Sequence, residues 1–139
     1  MNKWILNSIL TLTLAFGAVS VDAKPLTEAQ QAALKDNKKL RDQMNSMVVS
    51  IADLDILINR DNVMDYDIFQ DDAERILKAI AKIRKLDDGK VYKPFLDQLE
   101  KPAQNLLNYS KAKDPKAKEA TNAIFDACFS CHKAHRSKS

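Results

Sequence analysis

The chain has two cysteines and two histidines, and all four fall within FDACFSCHKAHR, residues 125–136. Cys128, Cys131 and His132 form the pattern C-x-x-C-H, the attachment signature of a c-type haem. The spacing has a mechanical reason. On a helix, residues three apart lie on one side, so the two thiols can reach the two vinyl groups along one porphyrin edge. The histidine directly after the second cysteine then projects under the macrocycle, where its imidazole can bind iron. Cys128 and Cys131 are therefore expected to anchor one haem covalently, with His132 as an axial iron ligand.

Three other chemistries use the same residue types. A disulfide between Cys128 and Cys131 would close a very small loop and stabilise little. A thioredoxin-like redox pair needs its C-x-x-C at a helix start within a βαβ unit, which the sequence lacks. Zinc is the most serious rival, because Cys128, Cys131, His132 and His135 have the right donor atoms. These residues sit on one helix face, however, with the first and last Cα atoms about 10.5 Å apart along the axis. One straight helix cannot close a tetrahedron around an ion whose bonds to sulfur are about 2.3 Å. His135 is read as a cation in the last helical turn, favoured by the helix dipole.

Helices must position this cluster. Only two glycines occur in 139 residues, and long Val/Ile/Thr alternations are absent, which argues against a sandwich or barrel. Apolar residues instead recur at alternating spacings of four and three. The first stripe is Leu40, Met44, Met47, Ile51, Leu54 and Ile58; the second is Phe69, Ala73, Ile76, Ile80 and Ile83. The third is Phe95, Leu99, Pro102, Leu106 and Tyr109; the fourth is Ala117, Thr121, Ile124, Cys128 and Cys131. That period marks one helix face buried in a bundle seam. Asp36-Asn37 can cap the first helix, Asp87-Asp88-Gly89 ends the second, and Asp114-Pro115 starts the last. The prediction is helices near 38–59, 66–86, 94–110 and 115–135, with Pro102 kinking or splitting the third. Thr27 can cap a turn or two before the first. Short connections make sequential helices antiparallel neighbours, so the predicted fold is all-α, an up-down-up-down four-helix bundle over residues 24–139.

Residues 1–23 read as a cleaved secretory signal. Lys3 supplies a positive charge, WILNSILTLTLAFGAV is an apolar run, and Val21 and Ala23 are the small residues before the cut. The alternative is an uncleaved anchor, for which the run is short as a bilayer span. The expected location is the periplasm, reached by a Sec-type route, since no twin-arginine pair is present.

In such a bundle the end of the fourth helix lies level with the start of the first. His132 then faces the first turns of helix one, which hold Leu40, Met44 and Met47. Met44 is the expected second iron ligand. Met47 and an open sixth site remain alternatives, and core filling is the ordinary role of such methionines. Met64 lies about 30 Å further along and cannot serve. Leu40, Phe125 and Phe129 are candidates to pack against the porphyrin; ordinary core positions fit them too.

A four-helix bundle with a signal segment and C-x-x-C-H near its end resembles the class II c-type cytochromes, the cytochrome c′ family. Their motif commonly continues C-x-x-C-H-x-x-aromatic-basic. CFSCHKAHR keeps the basic residue as Arg136 but has His135 in the aromatic's place. LRDQM at residues 40–44 is similar to the start of the first helix in the soluble periplasmic b-type four-helix cytochrome, whose methionine there binds iron opposite a C-terminal histidine. In cytochrome c′ itself that place is usually apolar and the iron five-coordinate. The resemblances imply covalent attachment as in one group and the methionine of the other. Relatives of this layout often pair through their first two helices, and the sequence leaves monomer and dimer open.

The functional expectation is a periplasmic electron carrier with His132 and Met44 as axial ligands. The alternative is a gas-binding protein with a five-coordinate haem open to NO or CO. Apart from the haem cluster there is no acid/base constellation, so enzyme chemistry is not expected. The net charge of +3 is modest and mixed, unlike a nucleic-acid surface. Lys35, Lys38, Lys39, Arg41, Lys133, Arg136 and Lys138 would gather at the haem end. That basic rim could steer an acidic redox partner, or equally be a solvated face.

Overall fold

A computed structural model of the chain describes residues 27–28, 38–87 and 90–135. The signal segment, the Asp36-Asn37 cap, Lys35, Arg136 and Lys138 lie outside the described residues. Among the described residues there are four helices and no strand: α1 (Lys38–Asp55), α2 (Tyr66–Leu86), α3 (Lys93–Lys111) and α4 (Ala117–His135). None of them is long and apolar enough to cross a membrane.

Each boundary has a local cause. α1 passes directly into a π-helical segment, Ile56–Asp61, so the first helical run extends a little past residue 59. Asn62 ends it in the left-handed conformation, with φ of 50° and its N–H bonded to the Leu57 carbonyl. Asp65 caps α2 by accepting from the N–H groups of Asp67 and Ile68, each at 3.2 Å. Asp87 ends α2, and its carboxylate accepts from the N–H groups of Val91 (2.9 Å) and Tyr92 (2.8 Å) just ahead of α3. Asp114 accepts from Lys116 N–H at 2.9 Å, so Asp114-Pro115 forms the turn before α4 rather than its first residues.

α3 runs unbroken through Pro102, so of the kink or split expected there the split does not occur. Pro102 is itself buried among the core side chains, and that packing offsets the missing N–H.

Packing follows the sequence order: α1 on α2, α2 on α3, α3 on α4. With short connections this is consistent with an antiparallel four-helix bundle. Arg84 near the end of α2 ties it to α3 by ion pairs with Asp97 (2.7 Å) and Glu100 (2.6 Å). The whole second stripe is buried: Phe69, Ala73, Ile76, Ile80 and Ile83. The first stripe is not. Leu40, Met47, Leu54 and Ile58 are buried, whereas Met44 and Ile51 are half-buried. In α4 all the buried residues, Ala117, Ala120, Thr121 and Ile124, lie in the first half. α1 and α4 do not pack closely on each other. At their far ends Lys118 Nζ donates to Asn62 Oδ1 at 3.2 Å, and toward the other end a hollow separates them.

Candidate haem site

The hollow is about 500 Å³ and lies between α1 and α4. Met44, Met47, Val48 and Ile51 line it from α1, and Phe125, Cys128, Phe129, His132 and Lys133 from α4. A smaller hollow of about 50 Å³ adjoins the same side chains. Met44, Met47, Cys128 and His132 line it too, joined by Cys131 and by Tyr92, Phe95, Leu96 and Leu99 at the start of α3.

Helical spacing explains who faces whom. Met44, Met47, Val48 and Ile51 are three or four residues apart on α1, as are Phe125, Cys128, Phe129 and His132 on α4. The two stripes that would close a bundle seam instead face each other across a gap. Both cysteines are free and half-buried. Burial pushes the Cys128 thiol up to about 11; burial and then its neighbour Cys128 push Cys131 up to about 12. Both are therefore neutral thiols at physiological pH, and neither is poised as a thiolate nucleophile.

His132 is exposed and lines both hollows. His135 is placed differently from the expected terminal cation. Its ring packs edge-on against Tyr92 (centroids 5.2 Å apart) and Phe95 (4.9 Å). Both ring nitrogens are buried without a hydrogen-bond partner. Burial, reinforced by His132, holds its pKa below the usual imidazole range, while Asp87 opposes the shift. His135 therefore does the packing work of an aromatic side chain.

Of the other sequence candidates, Phe125 is half-buried and Phe129 is 70% exposed, both on the larger hollow. Leu40 is buried in the core and lines neither hollow. Met64 packs half-buried against the core and lines neither. Sequence reasoning missed Tyr92 and Val48. Tyr92 precedes α3 and stands off every stripe; Val48 lies next to the first stripe, one residue after Met47.

The lining fits a haem. The exposed His132 imidazole and the Cys128 thiol face two methionine sulfurs of α1 across apolar walls, while Cys131 lines only the adjoining smaller hollow. The volume lies within the range of about 300–1,000 Å³ usual for small-molecule sites. Among the described residues no group of three His, Cys, Asp or Glu side chains could hold a metal ion by itself.

Comparison with known proteins gives no match: no family model, no curated protein and no solved structure is significantly similar to the chain.

Proposed function

We propose that the chain is an exported, periplasmic c-type cytochrome that carries electrons on one haem, anchored by Cys128 and Cys131 and ligated by His132 and Met44. One observation carries this reading: His132, Cys128 and two methionine sulfurs line a single apolar hollow between α1 and α4. When bound there, a haem supplies a one-electron iron couple whose potential is set by the axial ligands and the surrounding polarity. The chain's own residues do the rest. His132 would hold the iron through its imidazole and Met44 through its thioether, which suits electron transfer rather than substrate chemistry. Both methionines line the hollow; Met44 is the less buried of the two, which leaves its side chain freer for this role than that of Met47, a member of the buried core. A haem in the hollow would cover the exposed side chains of Val48 and Phe129 and the half-buried Ile51 and Phe125, and their contact with it would keep water from its faces.

The basic rim supports a partner with an acidic face. Lys38, Lys39, Arg41 and Lys133 are exposed on α1 and α4. Lys82 and Lys85 from the last turns of α2 flank a shallow hollow together with Lys39, Asp42 and Gln43.

The gas-binding alternative has one observation in its favour, the apolar Val48 and Ile51 on the α1 wall. Mass measurement of the exported protein, with ferric and ferrous absorption spectra, tests the proposal. The expected result is the mass of chain plus haem and a low-spin spectrum with a sulfur-to-iron band that disappears in Met44→Ala. A high-spin spectrum that converts on adding NO or CO would favour gas binding. A colourless protein with two free thiols would end both readings.

A further inference from the structure

The end of α4 carries the residues on which the haem reading depends, yet little packs on it. After Ile124 no residue of α4 is buried, and α1 does not pack closely against the helix. Phe125, Ala127 and Cys128 are still partly buried against the core. In the last turn Cys131 and His135 are half-buried, while His132, Lys133 and Ala134 are exposed. His135 is the side chain of that turn with two ring contacts. It stands edge-on to Tyr92 and Phe95, with centroids 5.2 and 4.9 Å away.

The two rings that receive it are themselves fixed. Phe95 is buried and Tyr92 half-buried, both at the start of α3. Behind them stands Asp87, a buried carboxylate at the corner between α2 and α3. Its N–H donates to the Ile83 carbonyl at 2.9 Å, which ties it to α2. Its carboxylate accepts from Val91 N–H (2.9 Å) and Tyr92 N–H (2.8 Å), which sets the entry into α3. Charge-assisted bonds of this kind are stronger than neutral ones. A line of contact thus runs from the α2–α3 corner through Tyr92 and Phe95 to His135.

His135 follows Cys131 by four residues and His132 by three, so all three share one side of α4. Tyr92, Phe95, Cys131 and His132 also line the smaller hollow together. Both nitrogens of the His135 ring are buried without a partner, so the contact uses the ring's shape rather than its hydrogen bonding. An edge-to-face ring pair adds about 0.5–1.5 kcal/mol beyond its burial. Two such pairs are enough to decide whether a helix end frays or holds.

We propose that His135 is a positioning residue for the haem: packed on Tyr92 and Phe95 at the Asp87 corner, it fixes the last turn of α4 and so the placement of His132 and Cys131. The assignment rests on the haem reading above. Without the ring the last turn opens, and His132 no longer meets the iron in one geometry. A phenyl ring should serve in its place, because it keeps the edge contacts and leaves no polar atom unpaired.

The test compares the exported, haem-loaded protein with its His135→Ala and His135→Phe variants. Amide hydrogen exchange in the reduced protein reads the order of the last turn, and the ferric absorption spectrum reads the iron. In His135→Ala, exchange at Cys131, His132 and Lys133 should quicken about tenfold or more, with Ile76 and Ile80 of α2 unchanged. Its sulfur-to-iron band should weaken and a high-spin fraction appear. His135→Phe should restore both readouts. Unaltered exchange or an unaltered spectrum in His135→Ala would overturn the proposal, as would a His135→Phe protein that behaves like His135→Ala. Should His135→Ala fail to fold around its haem, His135→Phe decides alone: a native spectrum supports the role and an altered one removes it. The mass and spectrum of the unsubstituted protein test the haem reading separately. A colourless chain sinks that reading and this one with it, whereas each failure above occurs in a protein that carries its haem.

Discussion

Met44 and His132 line the same two hollows, one from α1 and the other from α4. The helices that carry them pack on their sequence neighbours and not closely on each other. Bundle packing therefore lies on the α1–α2, α2–α3 and α3–α4 faces, and a hollow lies between α1 and α4. In α4 the change is abrupt: Ala117, Ala120, Thr121 and Ile124 are buried, and no residue after Ile124 is.

That asymmetry predicts opposite behaviour for two α4 substitutions. Ile124→Ala should destabilise the protein by about 2–5 kcal/mol with or without haem, because it opens a cavity in a packed core. Phe129→Ala should change the haem-free chain by less than about 0.5 kcal/mol, since Phe129 is exposed there. In the haem-loaded protein the same substitution should be clearly destabilising. Urea unfolding of both forms reads the difference; an equal effect in both would mean that nothing covers Phe129.

The two axial candidates give separable spectra. Met44→Ala should lower the reduction potential and shift the ferric iron toward high spin, because a thioether favours the ferrous state. Met47→Leu should leave the spectrum unchanged, being a near volume-conserving change at a buried position, with a stability cost below about 1.5 kcal/mol. Reversed outcomes would assign the ligand to Met47.

The thiols should be slow to alkylate in the folded, haem-free chain. With pKa values pushed to about 11 and about 12, Cys128 and Cys131 hold little thiolate at pH 8. Iodoacetamide should modify them about 100-fold more slowly than a free cysteine of pKa about 8.5. Denaturant should restore the ordinary rate. Fast alkylation of the folded chain would contradict their burial.

Asp72 predicts a pH-dependent stability. Its pKa is raised in the fold, chiefly by burial, so the carboxyl prefers to be protonated there. The protonated form's contribution is fully present below the unfolded value of 3.8 and is lost as pH rises through the folded value. Asp72→Asn, which cannot ionise, should raise the melting temperature at pH 7 and give no gain at pH 3. Equal effects at both pH values would show that ionisation of Asp72 is not what costs stability.

On the proposed electron-carrier reading, the lysines near the start of α1 and the end of α2 predict salt-dependent electron exchange. Reversing Lys82 and Lys85 to Glu should slow reaction with an acidic partner at low salt. The difference should shrink as ionic strength rises and the Debye length falls from about 10 Å at 0.1 M toward about 3 Å at 1 M. A salt-independent rate would remove the electrostatic docking idea.

Helix number and placement could be read from the sequence, because a 3.6-residue period records which face is buried whatever covers it. α2 spans Tyr66–Leu86, as the stripe and its flanking aspartates indicate. The neighbourhood of Cys128, Cys131 and His132 was likewise legible, since spacing along one helix fixes it. What the period does not encode is where a stripe lacks a partner. Met44 and Ile51 share a stripe with Leu54, yet they border a hollow and Leu54 is fully buried. Only the packing of α1 against α4 decides that. Tyr92 and Phe95 meeting His135 is also a tertiary outcome, because the contact joins the start of α3 to the end of α4. So is the burial of Asp72, which follows from the approach of α1 with Ser50. Local spacing is set by covalent geometry and the helix rise, whereas burial depends on which distant surface arrives, and that is settled only when the helices assemble.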